Sequence, residues 1–97
     1  MANNTIFEIR KTNSFEKSLK KAIKKHLDID ELKRIVYKLA NDIPLEKKNK
    51  DHQLKANLKD FRECHINDDW VLLYIKDRKR LVLTLVNNGT YEEIFVK

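Results

Sequence analysis

The 97-residue chain contains one cysteine, one proline and one glycine, and each scarcity removes a class of protein. A lone Cys64 cannot close an internal disulfide, so the chain is not a stapled secreted module and a reducing cytoplasm is the expected home. With only Gly89 and Pro44 there is no flexible linker, low-complexity tract or glycine-rich phosphate loop, and no internal repeat is visible. Met1 to Ile9 carries Asn3, Asn4 and Glu8 rather than a long apolar run, which argues against a signal peptide, and no membrane association is expected. Metal ligation is also unsupported. Cys64 and His65 are neighbours in an expected strand and point to opposite faces, while His26 lies far away in sequence, so neither a metal nor a cofactor is expected.

What the chain has is charge. Twenty-one Lys and Arg against fifteen Asp and Glu give a net +6, with 41% hydrophobic and 37% charged residues. That composition supports one domain over residues 1–97 with a single modest core. A sequence pI near 9.5 points to a polyanionic or acidic partner, against the plainer reading that the charge only keeps the protein soluble.

Hydrophobic spacing divides the chain in two. Thr5 to Arg10 reads as a short first strand. Asn13 with Glu16 has the form of a helix cap, and Phe15, Leu19, Ala22 and Ile23 then fall on one helical face. The opposite face carries Lys17, Lys20, Lys21, Lys24 and Lys25, either a solvated stripe or a phosphate-contacting one. Asp30 is placed to cap a second helix, in which Leu32, Ile35, Val36, Leu39 and Ala40 recur at helical spacing until Asn41 to Pro44. Leu45 to Asp60 reads as a long polar surface connection. Beyond it, Phe61–Ile66, Trp70–Lys76 and Arg80–Val86 read as an antiparallel meander; the middle strand is apolar on both faces and therefore central, and Leu81, Leu83 and Leu85 share one face. Two amphipathic helices covering one face of a small sheet give an α+β fold.

The titratable side chains crowd into the connection and the meander: His52, His65, Asp69, Arg62, Tyr74 and Tyr91. RNA carries its own nucleophile, the 2′-hydroxyl, so an RNA-cleaving site needs only to remove that proton, protonate the leaving 5′-oxygen and steady the charged phosphorane. Histidine, with an ordinary pKa of about 6.5, suits both proton tasks. From the residues alone, ordinary surface histidines are the commoner reading. Cys64 is most simply a small buried hydrophobe.

The words Lys50-Asp51-His52-Gln53-Leu54, Phe61-Arg62-Glu63-Cys64-His65-Ile66 and Asp69-Trp70-Val71-Leu72-Leu73-Tyr74 resemble the YafQ branch of the RelE/ParE toxins, and a weaker likeness extends from Phe15 to Phe95. The resemblance implies a RelE-like α+β fold, with an N-terminal strand and a two-helix hairpin packed on a small twisted antiparallel sheet. It also implies a metal-independent, ribosome-dependent endoribonuclease of a type II toxin–antitoxin system. Implied partners are the ribosome and mRNA, a cognate antitoxin, and operator DNA reached through the antitoxin complex. By the same resemblance His52, His65 and Asp69 fall on catalytic positions, and Phe95 matches a terminal aromatic able to stack on a base. Trp70 is read either as lining the substrate cleft or as packing in the core.

Two departures stand out. Relatives close the last strand with an Arg-Thr-Gly-Ser/Thr-His run, whereas this chain has Asn87-Asn88-Gly89-Thr90-Tyr91; the usual Gly and Trp before the second word are Ala56 and Leu58. Asn87 then takes a substrate-binding place without a positive charge, and Tyr91 the place of the last catalytic group. Arg62, Arg80 or Lys55 are candidates to supply the lost charge. Losing one such donor costs on the order of a hundredfold in rate, so an attenuated enzyme is expected. The alternatives are a weakened homologue serving as an antitoxin-binding module or corepressor, and a ParE-like gyrase inhibitor.

Overall fold

The computed structural model describes residues 5–96. A strand β1 (Glu8–Lys11) leads into helices α1 (Asn13–Lys24) and α2 (Ile29–Ala40), followed by β2 (His52–Gln53), β3 (Arg62–Asn67), β4 (Trp70–Asp77), β5 (Val82–Gly89) and a final turn of helix α3 (Tyr91–Phe95). The five strands form one sheet in the order β1-β5-β4-β3-β2, so β4 is central as its two apolar faces require. One face is covered by the helices: Phe15, Ala22, Leu32, Ile35 and Leu39 pack on Cys64, Ile66, Trp70, Leu72, Tyr74, Leu83 and Leu85. On the other face Glu63, Val71 and Leu73 are buried, His65 and Asn87 are half-buried and His52 is exposed.

The expected meander is present over β3, β4 and β5, but the sheet is mixed rather than antiparallel. β1 pairs in parallel with β5, from Glu8 opposite Val82 to Lys11 opposite Leu85. No local pattern announces a partner so far away along the chain. Leu81 also departs from expectation. It adopts a left-handed backbone with φ 57° and is 45% exposed, because it still belongs to the turn and β5 begins at Val82. Ile23 likewise lies largely in solvent, at the edge of the buried face of α1.

The helix starts differ by one and two residues from the expected caps. Thr12, not Asn13, caps α1: its Oγ1 accepts from the Phe15 N–H at 3.0 Å. The Thr12 hydroxyl also donates to the Val86 carbonyl at 2.6 Å, and its backbone N–H donates to Leu85 at 3.1 Å. One residue thus closes both the β1–β5 pair and the helix that follows. Asp28 caps α2 by accepting from the Glu31 N–H at 3.1 Å, which leaves Asp30 in the first turn, where a carboxylate meets the positive end of the helix.

The connection from 45 to 60 is more ordered than its composition suggests. It holds two 3-10 turns (Lys47–Asn49 and Ala56–Leu58) around the two-residue strand β2. Ala56 takes φ 58°, and a Cβ in that conformation costs about 1–2 kcal/mol.

Two outcomes in urea denaturation are expected. Thr12→Ala should lose about 1–2 kcal/mol, since a cap and a cross-link disappear together, whereas Asn13→Ala should change stability by less than about 0.5 kcal/mol. Ala56→Gly should gain up to about 1 kcal/mol, the relief of the strained backbone exceeding the extra freedom of the unfolded chain.

Candidate active site

Side chains alternate between faces along each strand, and the strand register therefore decides which polar groups meet. His52 lies opposite Glu63, Glu63 opposite Leu73 and Leu73 opposite Asn87, so these four form one row across four strands on the face away from the helices. The adjacent row runs His65, Val71, Gly89. His52 and His65 consequently sit on neighbouring strands and neighbouring rows of one surface. Asn87 reaches it only because of a bulge. The β4–β5 register shifts between Leu73 and Tyr74, inserting Val86 as an extra residue, so Leu83 and Leu85 face the core and the next residue to do so is Asn88, three positions on instead of two.

Each histidine is held from behind. His52 Nδ1 is 2.6 Å from the Lys50 carbonyl, which the left-handed Lys50 backbone (φ 48°) presents to it. His52 Nε2 is 3.1 Å from Glu63 Oε2. Glu63 is 6% exposed, and its second oxygen, Oε1, has no hydrogen-bond partner. His65 is fixed through its main chain: buried Asn49 donates from Nδ2 to the His65 carbonyl at 2.8 Å. Neither Glu63 nor Asn49 is singled out by the sequence reading. Glu63 had a usable signal, because its place in the strand two residues before His65 puts it on the same face.

Asp69 lies in the turn after the His65 row, its backbone N–H donating to Asn67 Oδ1 at 3.2 Å. It borders a hollow of about 450 Å³ with Lys48 and Asn49. Tyr91 and Phe95 project from α3 with ring centroids 4.8 Å apart and planes tilted by 43°. This helix turn starts abruptly after Gly89, whose φ of 154° strains any other residue and where a Cβ would come within 2.8 Å of Glu93 Oε1. Thr90 and Glu93 complete a reciprocal cap. Lys55 is exposed just after β2.

Two of the expected substrate-binding residues are elsewhere. Trp70 is 2% exposed within the core cluster, and its Nε1–H donates to Asn88 Oδ1 at 3.0 Å. Of its two readings, core packing holds. Arg62 alternates with Glu63 and His65 and so lies on the helix-side face. There it donates to the Tyr74 hydroxyl at 3.2 Å and to Gln53 at 3.3 Å, with Asp51 at 3.3 Å. Tyr74 in turn donates to Asp51. Burial, and then the Asp51 carboxylate, push the Tyr74 phenol well above its ordinary range, opposed by Arg62. Burial likewise raises the Cys64 thiol, which leaves it no nucleophilic character.

The basic stripe of α1 splits. Lys17, Lys21 and Lys25 line a hollow of about 310 Å³ that runs to Asn87 and Gly89, while Lys20 and Lys24 face solvent. Lys25 is 3.7 Å from Glu93.

Residues 7–96 match the family model described as the bacterial toxin of type II toxin–antitoxin system, YafQ. The chain belongs to the YafQ toxin family. The Escherichia coli BL21(DE3) mRNA interferase toxin YafQ is 34% identical over 89 residues, covering 91% of this chain and 95% of that one. YafQ in the E. coli DinJ–YafQ toxin–antitoxin complex superposes with a TM-score of 0.84 at 31% identity, over 93% of this chain and 98% of that one. A metal-bound toxin from Helicobacter pylori is 40% identical with a TM-score of 0.86, over 92% and 99% of the two chains. Among the described residues of this YafQ-family chain, no three His, Cys, Asp or Glu side chains are grouped to hold a metal ion.

Replacing Trp70 by Phe tests its structural role. The variant leaves buried Asn88 Oδ1 without a donor and should lose about 1–3 kcal/mol, read by thermal or urea unfolding.

Proposed function

We propose that this YafQ-family toxin is a ribosome-dependent endoribonuclease that cleaves mRNA by attack of a 2′-hydroxyl on the adjacent phosphate. The observation that carries the reading is the placement of His52 and His65 on adjacent rows of the sheet face away from the helices. Two imidazoles on such a surface are what in-line attack and departure on opposite sides of a phosphate require. In the reaction the 2′-oxygen loses its proton to one group and bonds to phosphorus, the bond to the 5′-oxygen breaks, and that oxygen takes a proton from the other. A cyclic phosphate and a 5′-hydroxyl remain. Family membership and the naming of the E. coli relative as an mRNA interferase support the same assignment.

The remaining residues take supporting roles. Asp69, in the turn beside the His65 row, is placed to orient or exchange a proton with the nucleotide. Tyr91 offers a phenol hydrogen bond to the phosphate where relatives have histidine, and its partner Phe95 offers a stacking face. Asn87 contributes a neutral amide, and Lys55 an exposed cation at the β2 edge. The lysines of α1 dock the protein on ribosomal RNA through phosphate contacts. A cognate antitoxin with an acidic segment would cover this +6 surface and compete with RNA; the E. coli relative forms a toxin–antitoxin complex with DinJ. That complex would carry the toxin to operator DNA. The work is placed in the cytoplasm, and no helix among the described residues is long and apolar enough to cross a membrane.

Purified toxin added to mRNA-programmed ribosomes should yield cuts ending in a cyclic phosphate. His65→Ala and His52→Ala should each lower the rate about a hundredfold or more, Asp69→Asn and Tyr91→Phe about tenfold, with the fold kept by circular dichroism. Unchanged cleavage in His65→Ala and Tyr91→Phe together would sink the assignment. A neutral amide at Asn87, its Oδ1 already accepting from the Asn88 N–H at 2.9 Å, favours a wild-type rate below that of relatives with arginine in the last strand.

A further inference from the structure

β1 pairs with β5 only as far as Lys11 opposite Leu85, so Val86 to Gly89 have no strand on their outer edge. Helix α1 passes there instead, its Ser18 hydroxyl accepting from the Asn88 side chain at 3.0 Å. The gap between that helix and the end of β5 is the hollow of about 310 Å³. Its polar groups fall into two sets. Asn88 and Ser18 are saturated: the Asn88 amide oxygen accepts from Trp70, its amide nitrogen donates to Ser18, and the Ser18 hydroxyl donates to the Phe15 carbonyl at 3.0 Å. Glu93, on the α3 side, is occupied as well, accepting from the Thr90 N–H at 2.8 Å and lying 3.7 Å from Lys25. The set left free is rich in donors. Lys17 and Lys21 stand one helical turn apart, and neither has an ion-pair partner among the described residues. Asn87 Oδ1 is held by the Asn88 N–H at 2.9 Å, which turns the Asn87 amide nitrogen, a donor only, outward. Lys17, Lys21 and Lys25 against Glu93 leave the lining with an excess of positive charge.

We propose that this hollow is a phosphodiester subsite for the mRNA strand, in which Lys17, Lys21 and the Asn87 amide bind a phosphate neighbouring the scissile one. The inference rests on the nuclease reading above and adds to it the path of the strand. Unpaired ammonium groups and an outward amide N–H select a negatively charged linkage made of acceptors, and they do so without reading a base. The hollow opens on the cleft through Asn87 and Gly89. Along their rows His65 lies two strand spacings from Gly89, about 10 Å, and His52 three from Asn87, about 14 Å. A strand whose scissile linkage lies over the histidines thus continues within a few nucleotides onto the free edge of β5. Lys20 and Lys24 belong to the same helix but do not line the hollow, so the basic stripe divides: the inner pair takes the substrate strand and the outer pair is left for ribosomal RNA. Lysine suits a backbone subsite, being a flexible point charge that needs no fixed direction of approach.

The two faces of α1 supply matched variants. Lys17→Ala/Lys21→Ala and Lys20→Ala/Lys24→Ala remove the same charge from the same helix at positions where alanine favours helix, with folding checked by circular dichroism. The probe is a fluorescent single strand of about a dozen 2′-O-methyl uridines, which offers no 2′-hydroxyl to cleave, read by anisotropy over a range of salt. The inner pair should lower affinity about tenfold and flatten the salt dependence by about 1.4 in slope, two contacts at about 0.7 each. The loss should be the same for an adenosine probe, since the backbone is what is bound, and Lys17→Arg/Lys21→Arg should retain wild-type binding. The outer pair should leave probe binding within about twofold and instead weaken pelleting with ribosomes that carry no mRNA. Equal losses from the two pairs, a loss that depends on the base, or no binding of the wild-type protein at low ionic strength overturns the inference. So does an inner pair that weakens ribosome pelleting alone, which would give the hollow to ribosomal RNA. Cleavage on programmed ribosomes is a separate readout. A wild type that binds the probe through the inner pair yet cuts no mRNA counts against the nuclease reading and leaves the phosphodiester subsite, while an active enzyme with equal losses counts against the subsite alone.

Discussion

The register of β3 on β4, with Cys64 opposite Leu72 and His65 opposite Val71, decides which side chains meet solvent and which meet the helices. Because side chains alternate, a slip of one residue would turn Glu63 and His65 toward α1 and α2 and turn Cys64 and Ile66 away from the core. The buried set Cys64, Ile66, Leu72 and Tyr74 makes that slip expensive, at roughly 1.5–3 kcal/mol for each large apolar side chain moved into water. The polar cleft therefore owes its geometry to the apolar face behind it. The Leu73/Tyr74 bulge then adds one correction, turning the last residues of β5 over so that Asn88 closes the core and Asn87 joins the cleft.

Polar groups inside this small protein are paired in two networks that do different things. Asn88 binds Trp70 on one side and Ser18 of α1 on the other, its Nδ2–H donating to Ser18 Oγ at 3.0 Å, which locks α1 to the end of β5 where the cleft closes. Asp51, Tyr74 and Arg62 lock the start of β2 to β3 and β4 from the helix side, and so fix the residue immediately before His52. Both networks lie on the face away from the cleft. Among the described residues Glu63 alone keeps a buried side-chain oxygen, Oε1, without a hydrogen-bond partner, and its other oxygen lies 3.1 Å from His52 Nε2.

The helices, the central place of β4 and the connections of the meander were legible because each follows from periodicity and turn chemistry within about a dozen residues. The β1–β5 pairing and the two-residue β2 were not, since the first depends on contacts more than seventy residues apart and the second is too short to show alternation. Among the candidate site residues, His52 and His65 were singled out by motif words that spacing alone would have left as surface histidines. Arg62 lies on the helix-side face, as strand parity with His65 already implied. Trp70 stood open between two readings, and a fully apolar cluster with one hydrogen bond to Asn88 decides for the core. Asn49 left no trace in the sequence, because its role is set by a 3-10 turn that brings it under the His65 carbonyl.

Strand geometry also limits which cations can approach a phosphate near Asn87. Arg62 is excluded by face and by its three partners. Arg80 sits in the β4–β5 turn, its N–H donating to Asp77 at 3.0 Å, at the end of β5 opposite to Asn87; at about 3.3 Å per residue that is on the order of 20 Å away. Lys25 is engaged by Glu93. Lys17 and Lys21 border the hollow that reaches Asn87, and Lys55 stands at the β2 edge, so the cations available to a bound phosphate are long, mobile and placed around the rim of the cleft. Such side chains raise the local attraction for a polyanion but give up the fixed bidentate geometry of a guanidinium. Attraction for a polyanion is thereby kept at the rim while stabilisation of a charged phosphorane at the centre of the cleft weakens.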